Sequence, residues 1–315
     1  MPFVDIGCNL TDHMYQGKYN GSQKHPPDLD RVLARAWEAG LSHIIITAGT
    51  ANEARTALNL ASEDPRLFAT VGVHPTRCKE LVEAEDGMAA HMDELLDLIK
   101  DGQKTGNVVA VGECGLDYDR LHFCEKSTQL KGFEAQFTLA EETGLPMFLH
   151  NRNCGEDFVH ILQRHRHRFS QGVVHSFTGP CTEAQTLLSM EKVYIGLNGC
   201  SFKTGDQLMT IKNSIPLEKT LLETDAPWCD VRPTHAGTKF LTSGGSAEVA
   251  TFETVKKEKW SRDKCVKGRN EPCHIRGVAQ ILAGIHDTTL AHVEEVCYEN
   301  SMACFPGLTL RNEGF

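Results

Sequence analysis

The chain has 315 residues, 40% hydrophobic and 23% charged, which is ordinary for a soluble globular protein. That length can build one α/β barrel or two ordinary domains, and no apolar run approaches the roughly 18 residues that span a bilayer. The formal net charge of −10 argues against capture of polyanions by bulk charge, although metal ions in an acidic cleft would invert the local sign. The opening MPFVDIGCNL has no basic region followed by an apolar one, so a secretory signal is not expected. Twelve cysteines occur without a paired C-x-x-C spacing, which reads as buried thiols of an intracellular protein rather than disulfides.

Short apolar runs alternate with amphipathic segments along most of the chain. The first run is Phe3–Ile6. Asp28 then reads as the cap of a helix that presents Leu29, Val32, Leu33 and Ala36 on one face and stops at Gly40. The runs Ile44–Ile46, Phe68–Val73 and Val108–Val111 follow. Ser127 reads as the cap of a helix carrying Leu130, Phe133, Phe137 and Ala140, closed by Gly144. The last four runs are Met147–Leu149, Val173–Val174, Val193–Leu197 and Thr220–Leu222. They are too short for helices and rich in β-branched residues, so they read as buried parallel strands. Eight of them, separated by helices, predict a single (β/α)8 TIM-type barrel over residues 1–315. From Ala226 to Pro272 the chain turns rich in Gly, Ser, Thr and Lys without periodicity. This extended excursion follows the last strand and is expected over the mouth of the barrel. Helical patterns at His274–Ile285 and Leu290–Ala303 close the fold.

The polar residues that follow the runs carry the chemistry. They are Asn9, His74, Glu113, His150, His175, Asn198 and Asp225. In a parallel barrel the C-terminal strand ends converge on one volume. A carboxylate such as Glu113 at the end of a buried strand needs a partner, because an unpaired buried charge is costly. Glu113, His150, His175 and Asp225 together are the ligand types that a divalent metal takes. One such histidine alone is more often a hydrogen-bonded core residue, but four such residues at matching strand ends make coincidence a poor explanation.

VVAVGECGLDY (from Val108), LPMFLHNRNCGED (from Leu145), VVHSFTG (from Val173), LLETDAP (from Leu221) and RNEP (from Arg269) resemble the successive motifs of the TatD-type metal-dependent deoxyribonucleases. The opening DIGCNLTD and VGVHPT around His74 resemble that family too. THAGTKF and CHI point to its eukaryotic branch. The resemblance implies a barrel hydrolase that binds two divalent metal ions and cleaves phosphodiester bonds of DNA with metal-activated water. It is expected to act as a 3′–5′ exonuclease, with endonuclease action and RNA as extensions. By motif, Glu113 would bridge two metals, His150 and His175 would hold one, Asp225 the other, and His74 would lie near the scissile phosphate. Many members carry H-x-H at the end of the first strand; here the positions are Gly7 and Asn9, and Asn9 offers only a weak amide ligand. An oxygen-rich first site suits Mg²⁺ or Mn²⁺, while Zn²⁺ fits the His150/His175 site. The resemblance suggests a nuclear location, with the cytosol as the other intracellular choice. A monomer without membrane contact is expected.

In the expected mechanism Glu113, Asp225 and His74 are catalytic, with Asp225 as both ligand and proton acceptor. Arg152 stabilises developing charge, and Arg269 or Asn270 fixes a neighbouring phosphate, since a planar guanidinium pairs well with phosphate oxygens. Trp228 could stack on a base, or simply pack. Asp117 reads as an orienter of a ligand or as the cap of the next turn, Cys114 as a buried thiol, and Asp5 as a structural hydrogen-bonding group or a residue near metal. The basic strips Arg164–Arg168 and Lys256–Arg269 are nucleic-acid contacts or solvated surface. Two other functions compete: a metal-dependent amidohydrolase or deacylase, and a weakly catalytic scaffold barrel.

Overall fold

The computed structural model describes residues 1–242 and 252–308. Eight strands form one sheet in chain order: β1 Phe3–Cys8, β2 Leu41–Ile46, β3 Leu67–Val71, β4 Val108–Asp117, β5 Met147–Arg152, β6 Gly172–His175, β7 Val193–Leu197 and β8 Thr220–Leu222. Every neighbouring pair is parallel. The sheet closes through a parallel bridge between Cys8 and Ala226 and a bond from the Asp225 amide to the Gly7 carbonyl. All eight apolar runs are strands, and the TIM-type (β/α)8 barrel expected from their alternation is the fold observed.

Both faces of each strand are covered, which is why the runs lack polar alternation. Ile45 packs in an inner cluster with Val4, Ile6, Phe68, Phe148 and Val173. Its neighbours Ile44 and Ile46 belong to the layer between sheet and helices.

The outer layer comprises α1 Leu29–Glu38, α2 Ala51–Glu63, α3 Cys78–Val82, α4 Gly87–Thr105, α5 Lys126–Thr143, α6 Glu156–His165, α7 Cys181–Leu188, α8 Gly205–Ser214, α9 Lys239–Thr242, α10 Ile275–Ile285 and α11 Leu290–Cys304. No helix among the described residues is long and apolar enough to cross a membrane.

Two expected caps are corrected. Ser127 lies inside α5, which begins at Lys126; its hydroxyl bonds to the Glu125 carboxylate rather than a free amide. Gly144 does close that helix, in the left-handed conformation. Asp28 stands at the cap position of α1 but makes no capping bond. Its carboxylate instead receives Arg269 at 2.7 and 2.8 Å and the Trp260 indole at 2.9 Å. Arg269 also reaches Glu271 at 2.9 Å, and Glu271 receives Arg35 of α1 at 2.8 Å. This buried ladder fastens the end of the excursion to the first helix of the barrel.

Candidate active site

Strand β4 delivers Glu113 to the mouth through a break in its pairing with β5 between Val111 and Cys114. At the break Gly112 has φ +147°, and a Cβ there would collide with the Phe148 carbonyl, so only glycine fits ahead of the carboxylate. Glu113 Oε1 lies 2.7 Å from His150 Nδ1 and 2.8 Å from His175 Nε2. The two ring nitrogens are themselves 3.1 Å apart.

Each ring has its far nitrogen on a second carboxylate. His150 Nε2 is 3.3 Å from Asp117 Oδ2, and His175 Nδ1 is 3.3 Å from Glu223 Oε2. An ionised carboxylate only accepts, so the far nitrogens donate to Asp117 and Glu223, and the near ones can meet Glu113 only by donating a proton or with a cation between them. Two buried rings converging on one carboxylate oxygen place positive charge there, as a proton or as a metal ion. This donor set fits a divalent metal ion, with Asp117 and Glu223 orienting the histidines as outer carboxylates do in metal sites.

The electrostatics agree. Burial alone would push Glu113 upward, but His175, His74 and His150 hold it well below the usual carboxylate range. For His175 burial acts downward and is outweighed by Glu113 and Glu223, which leave it well above an ordinary imidazole. Burial also works to raise Asp117, and His150 brings it below its usual value.

His74 sits at the edge of this group, its Nε2 3.5 Å from Glu113 Oε1. Its ligand atom and those of Glu113 and His150 lie within 4.8 Å of one another. Burial pushes His74 down to about 3, so the ring is neutral at ordinary pH. Its Nδ1 accepts from the Thr76 amide at 3.2 Å, which leaves Nε2–H as a donor aimed into the site.

Asp225 follows β8 with φ +51°. Its Oδ1 accepts from Asn9 Nδ2 at 2.9 Å and its Oδ2 from the Cys229 thiol at 3.1 Å. Burial raises its carboxyl to about 6, against the pull of His175, and the charges of Glu223 and Glu113 raise it further. His175, Glu223 and Glu113 are thus its charged neighbours. Asn9, expected as a weak ligand, turns its NH₂ to Asp225, and its oxygen accepts from Thr47 at 3.0 Å. Gly7 has its own reason, since a Cβ there would come within 2.9 Å of Glu223 Oε2. The space of a first-strand side chain is taken by the carboxylate that orients His175.

Glu223 was not singled out in the sequence, although it stands two residues before Asp225 in LLETDAP. It is fully buried and also accepts from the Ser176 amide and from Asn198 Nδ2. Its signal was a second acid inside an otherwise apolar strand end. Asp117 fills both roles open to it, orienting His150 and capping the next turn through the Asp119 amide at 3.1 Å. Asp5 is structural: buried, it takes bonds from Thr224 and Gly7 and ties β1 to β8. Cys114 is a buried thiol.

The phosphate contacts expected at Arg269 and Asn270 are corrected. The Arg269 side chain is 0% exposed and held by Asp28 and Glu271. Asn270 is 4% exposed; its NH₂ donates to the Thr224 carbonyl and its oxygen serves Glu271 and His274. Neither can turn outward without emptying a buried network. Arg152 lines a cavity of about 800 Å³ with Asn151, Asn153, Lys203 and the acids Asp119, Glu156 and Glu183, while Glu113, His150, His175 and Asp225 are not part of its lining; the buried Nε of Arg152 has no hydrogen-bond partner among the described residues. Trp228 is 49% exposed and lines a second cleft with Tyr19, Lys18, Lys257 and Lys267. The strip at Arg164–Arg168 is paired surface: Arg164 meets Glu134, Arg168 meets Glu141, and Arg166 bonds to backbone carbonyls.

A family model described as TatD related DNase matches residues 4–306. The chain is 41% identical over 301 residues to "Deoxyribonuclease Tat-D" of Schizosaccharomyces pombe, covering 95% of this chain and 94% of the relative. It is 37% identical over 235 residues to "3′-5′ ssDNA/RNA exonuclease TatD" of Erwinia tasmaniensis, covering 73% of this chain and 82% of the relative. A solved amidohydrolase from Saccharomyces cerevisiae superimposes with a TM-score of 0.89 at 32% identity, covering 97% of this chain and all of the other.

Proposed function

Since the chain belongs to the TatD-related DNase family, and so to the hydrolases that act on ester bonds, we propose that it is a divalent-metal-dependent nuclease that attacks single-stranded DNA from 3′ ends. The observation that carries this reading is the meeting of His150 Nδ1 and His175 Nε2 on one oxygen of Glu113. Single-stranded DNA and 3′ polarity come from the name of the Erwinia relative, which also extends the reading to RNA. Glu113, His150 and His175 would hold one ion, and Asp225 with Glu113 a second. Mg²⁺ or Mn²⁺ suits the Asp225 side and Zn²⁺ the histidine side. Bound there, divalent ions would supply positive charge for phosphoryl oxygens and make water a better nucleophile.

The remaining work falls to this chain's own groups. His74, neutral and with Nε2–H pointing inward, donates to the oxygen on which charge accumulates. Arg152 offers a planar guanidinium at the opening for the same phosphate or its neighbour. Asp225, raised to about 6, is a base that can take a proton near neutral pH. Asn9 and Cys229 hold its two oxygens in place. Trp228 gives a base a flat face, and Lys257 and Lys267 beside it give the backbone positive charge. A small-amide hydrolase would favour a closed apolar pocket, whereas these openings are lined largely by polar and charged side chains, acids as well as Arg152 and lysines.

The test is cleavage of a 3′-labelled and a 5′-labelled single-stranded oligonucleotide with Mg²⁺ or Mn²⁺. Glu113→Gln and Asp225→Ala are each expected to abolish it while circular dichroism stays unchanged. Full activity in either variant would remove the proposed centre. Release of internal fragments before mononucleotides would replace the exonuclease reading by an endonuclease one.

A further inference from the structure

Away from the barrel mouth, Cys265, Cys273 and His274 bring two sulfurs and one imidazole nitrogen within 4.8 Å of one another. Cys265 lies in a short parallel strand, Cys265–Val266, paired with Thr254–Val255. Cys273 and His274 form the turn that leads into α10. Both cysteines are buried, and His274 is half-buried, which leaves solvent a way in. His274 Nδ1 is 2.9 Å from Asn270 Oδ1, and the Asn270 NH₂ is committed to the Thr224 carbonyl. The amide oxygen therefore accepts, Nδ1 carries the proton, and Nε2 is the nitrogen left to face the cysteines. A histidine held through its far N–H on an oxygen is the arrangement seen where imidazole binds a metal.

We propose that Cys265, Cys273 and His274 form a structural site for a soft divalent cation of the zinc class, distinct in its ligands from the centre at Glu113. Two thiolates and one neutral imidazole are the donors such an ion selects over Mg²⁺ or Ca²⁺. Zinc sites with three protein ligands complete their shell with a solvent molecule. Two thiolates also neutralise the charge of the ion, so burial is tolerated. Binding would release the protons of both thiols to solvent and add no redox step. Its effect is mechanical: it clasps the excursion to the start of α10, with Asn270, which bonds to the Thr224 and Pro227 carbonyls, lying between the ligands.

Co²⁺ titration of the full chain, stripped of metal and kept reduced, tests this. Thiolate ligation gives an intense near-ultraviolet charge-transfer band that carboxylate and imidazole ligands cannot give. The other neighbouring sulfurs, Cys200 and Cys229, lie 2.9 Å apart beside Asp225, so the titration is run in the Cys200→Ser/Cys229→Ser background as well. The expected result is a band that saturates at one equivalent, survives in that background, is displaced by Zn²⁺ and is lost in Cys273→Ser. No band in the double variant overturns the proposal, and this arm holds even if Cys273→Ser does not fold. A band that persists in folded Cys273→Ser also overturns it. So does a Cys265–Cys273 disulfide that persists in the reduced protein.

Discussion

Glu223 Oε2 and His175 Nδ1 lie 3.3 Å apart, and this contact decides which imidazole nitrogen faces Glu113. The orientation of the His175 ring is thus set by a residue that touches neither the opening nor, in the proposed reading, the substrate. Glu223→Gln replaces an obligate acceptor by an amide that can donate to Nδ1 and free the ring. Metal affinity and activity are expected to fall about 10- to 100-fold without loss of fold. Calorimetric titration with Mn²⁺ beside circular dichroism checks this; an unchanged affinity would assign Glu223 to barrel packing alone.

His74 separates donation from titration. With its ring at about 3, no acid limb from protonation of this residue should appear across the neutral range. His74→Ala is expected to lose activity on the order of 100-fold, the usual cost of removing one transition-state donor. His74→Gln, which keeps an N–H, should recover part of it. A pH–rate profile in which the wild type has a limb near the ordinary imidazole value, absent from both variants, would show instead that His74 works as a proton carrier.

Asp5 governs a different pH dependence. Burial raises its carboxyl from 3.8 to about 8. Because the folded value exceeds the unfolded one, folding favours the protonated acid. That contribution is whole below the unfolded value, declines as pH rises between the two, and is gone above the folded one. Asp5→Asn, which cannot ionise, should therefore gain melting temperature relative to wild type from pH ~4 to ~8 and then run parallel to it. Thermal melts across that range are the measurement; a constant offset would mean that Asp5 is ionised in the folded protein.

Arg152 and Arg269 should fail in opposite ways. Arg152→Ala leaves the fold intact and weakens binding of single-stranded DNA, with the salt dependence of log K reduced by about one unit. Arg269→Ala strands the carboxylates of Asp28 and Glu271, a loss of about 3–5 kcal/mol in stability. Fluorescence anisotropy at several salt concentrations and urea unfolding distinguish the two. Loss of DNA affinity in Arg269→Ala at full stability would return that residue to the interface.

The barrel and the polar cluster at its mouth were legible because they follow from local rules. A buried parallel strand must be apolar on both faces, so Glu113, His150 and His175 stood out as polar breaks in the pattern. Glu223 did not, because its purpose is defined by His175 across the sheet and by the glycine at position 7 that makes room for it. Asp28 looked like a helix cap because its partner Arg269 is 241 residues away. Arg269 looked like a phosphate ligand for the same reason. Short-range chemistry was visible in the sequence; the pairing of distant charges was not.

The ladder Arg35–Glu271–Arg269–Asp28 also bears on how the protein is made. All eight strands have left the ribosome once residue 222 is out, yet two charged groups of α1 still wait for their counter-ions. Strand count and foldable length therefore differ, and a fragment stopping after the last strand would expose Asp28 and Arg35 as an unsatisfied seam. The stretch beyond β8, which could pass for a dispensable insertion, is a keystone set last.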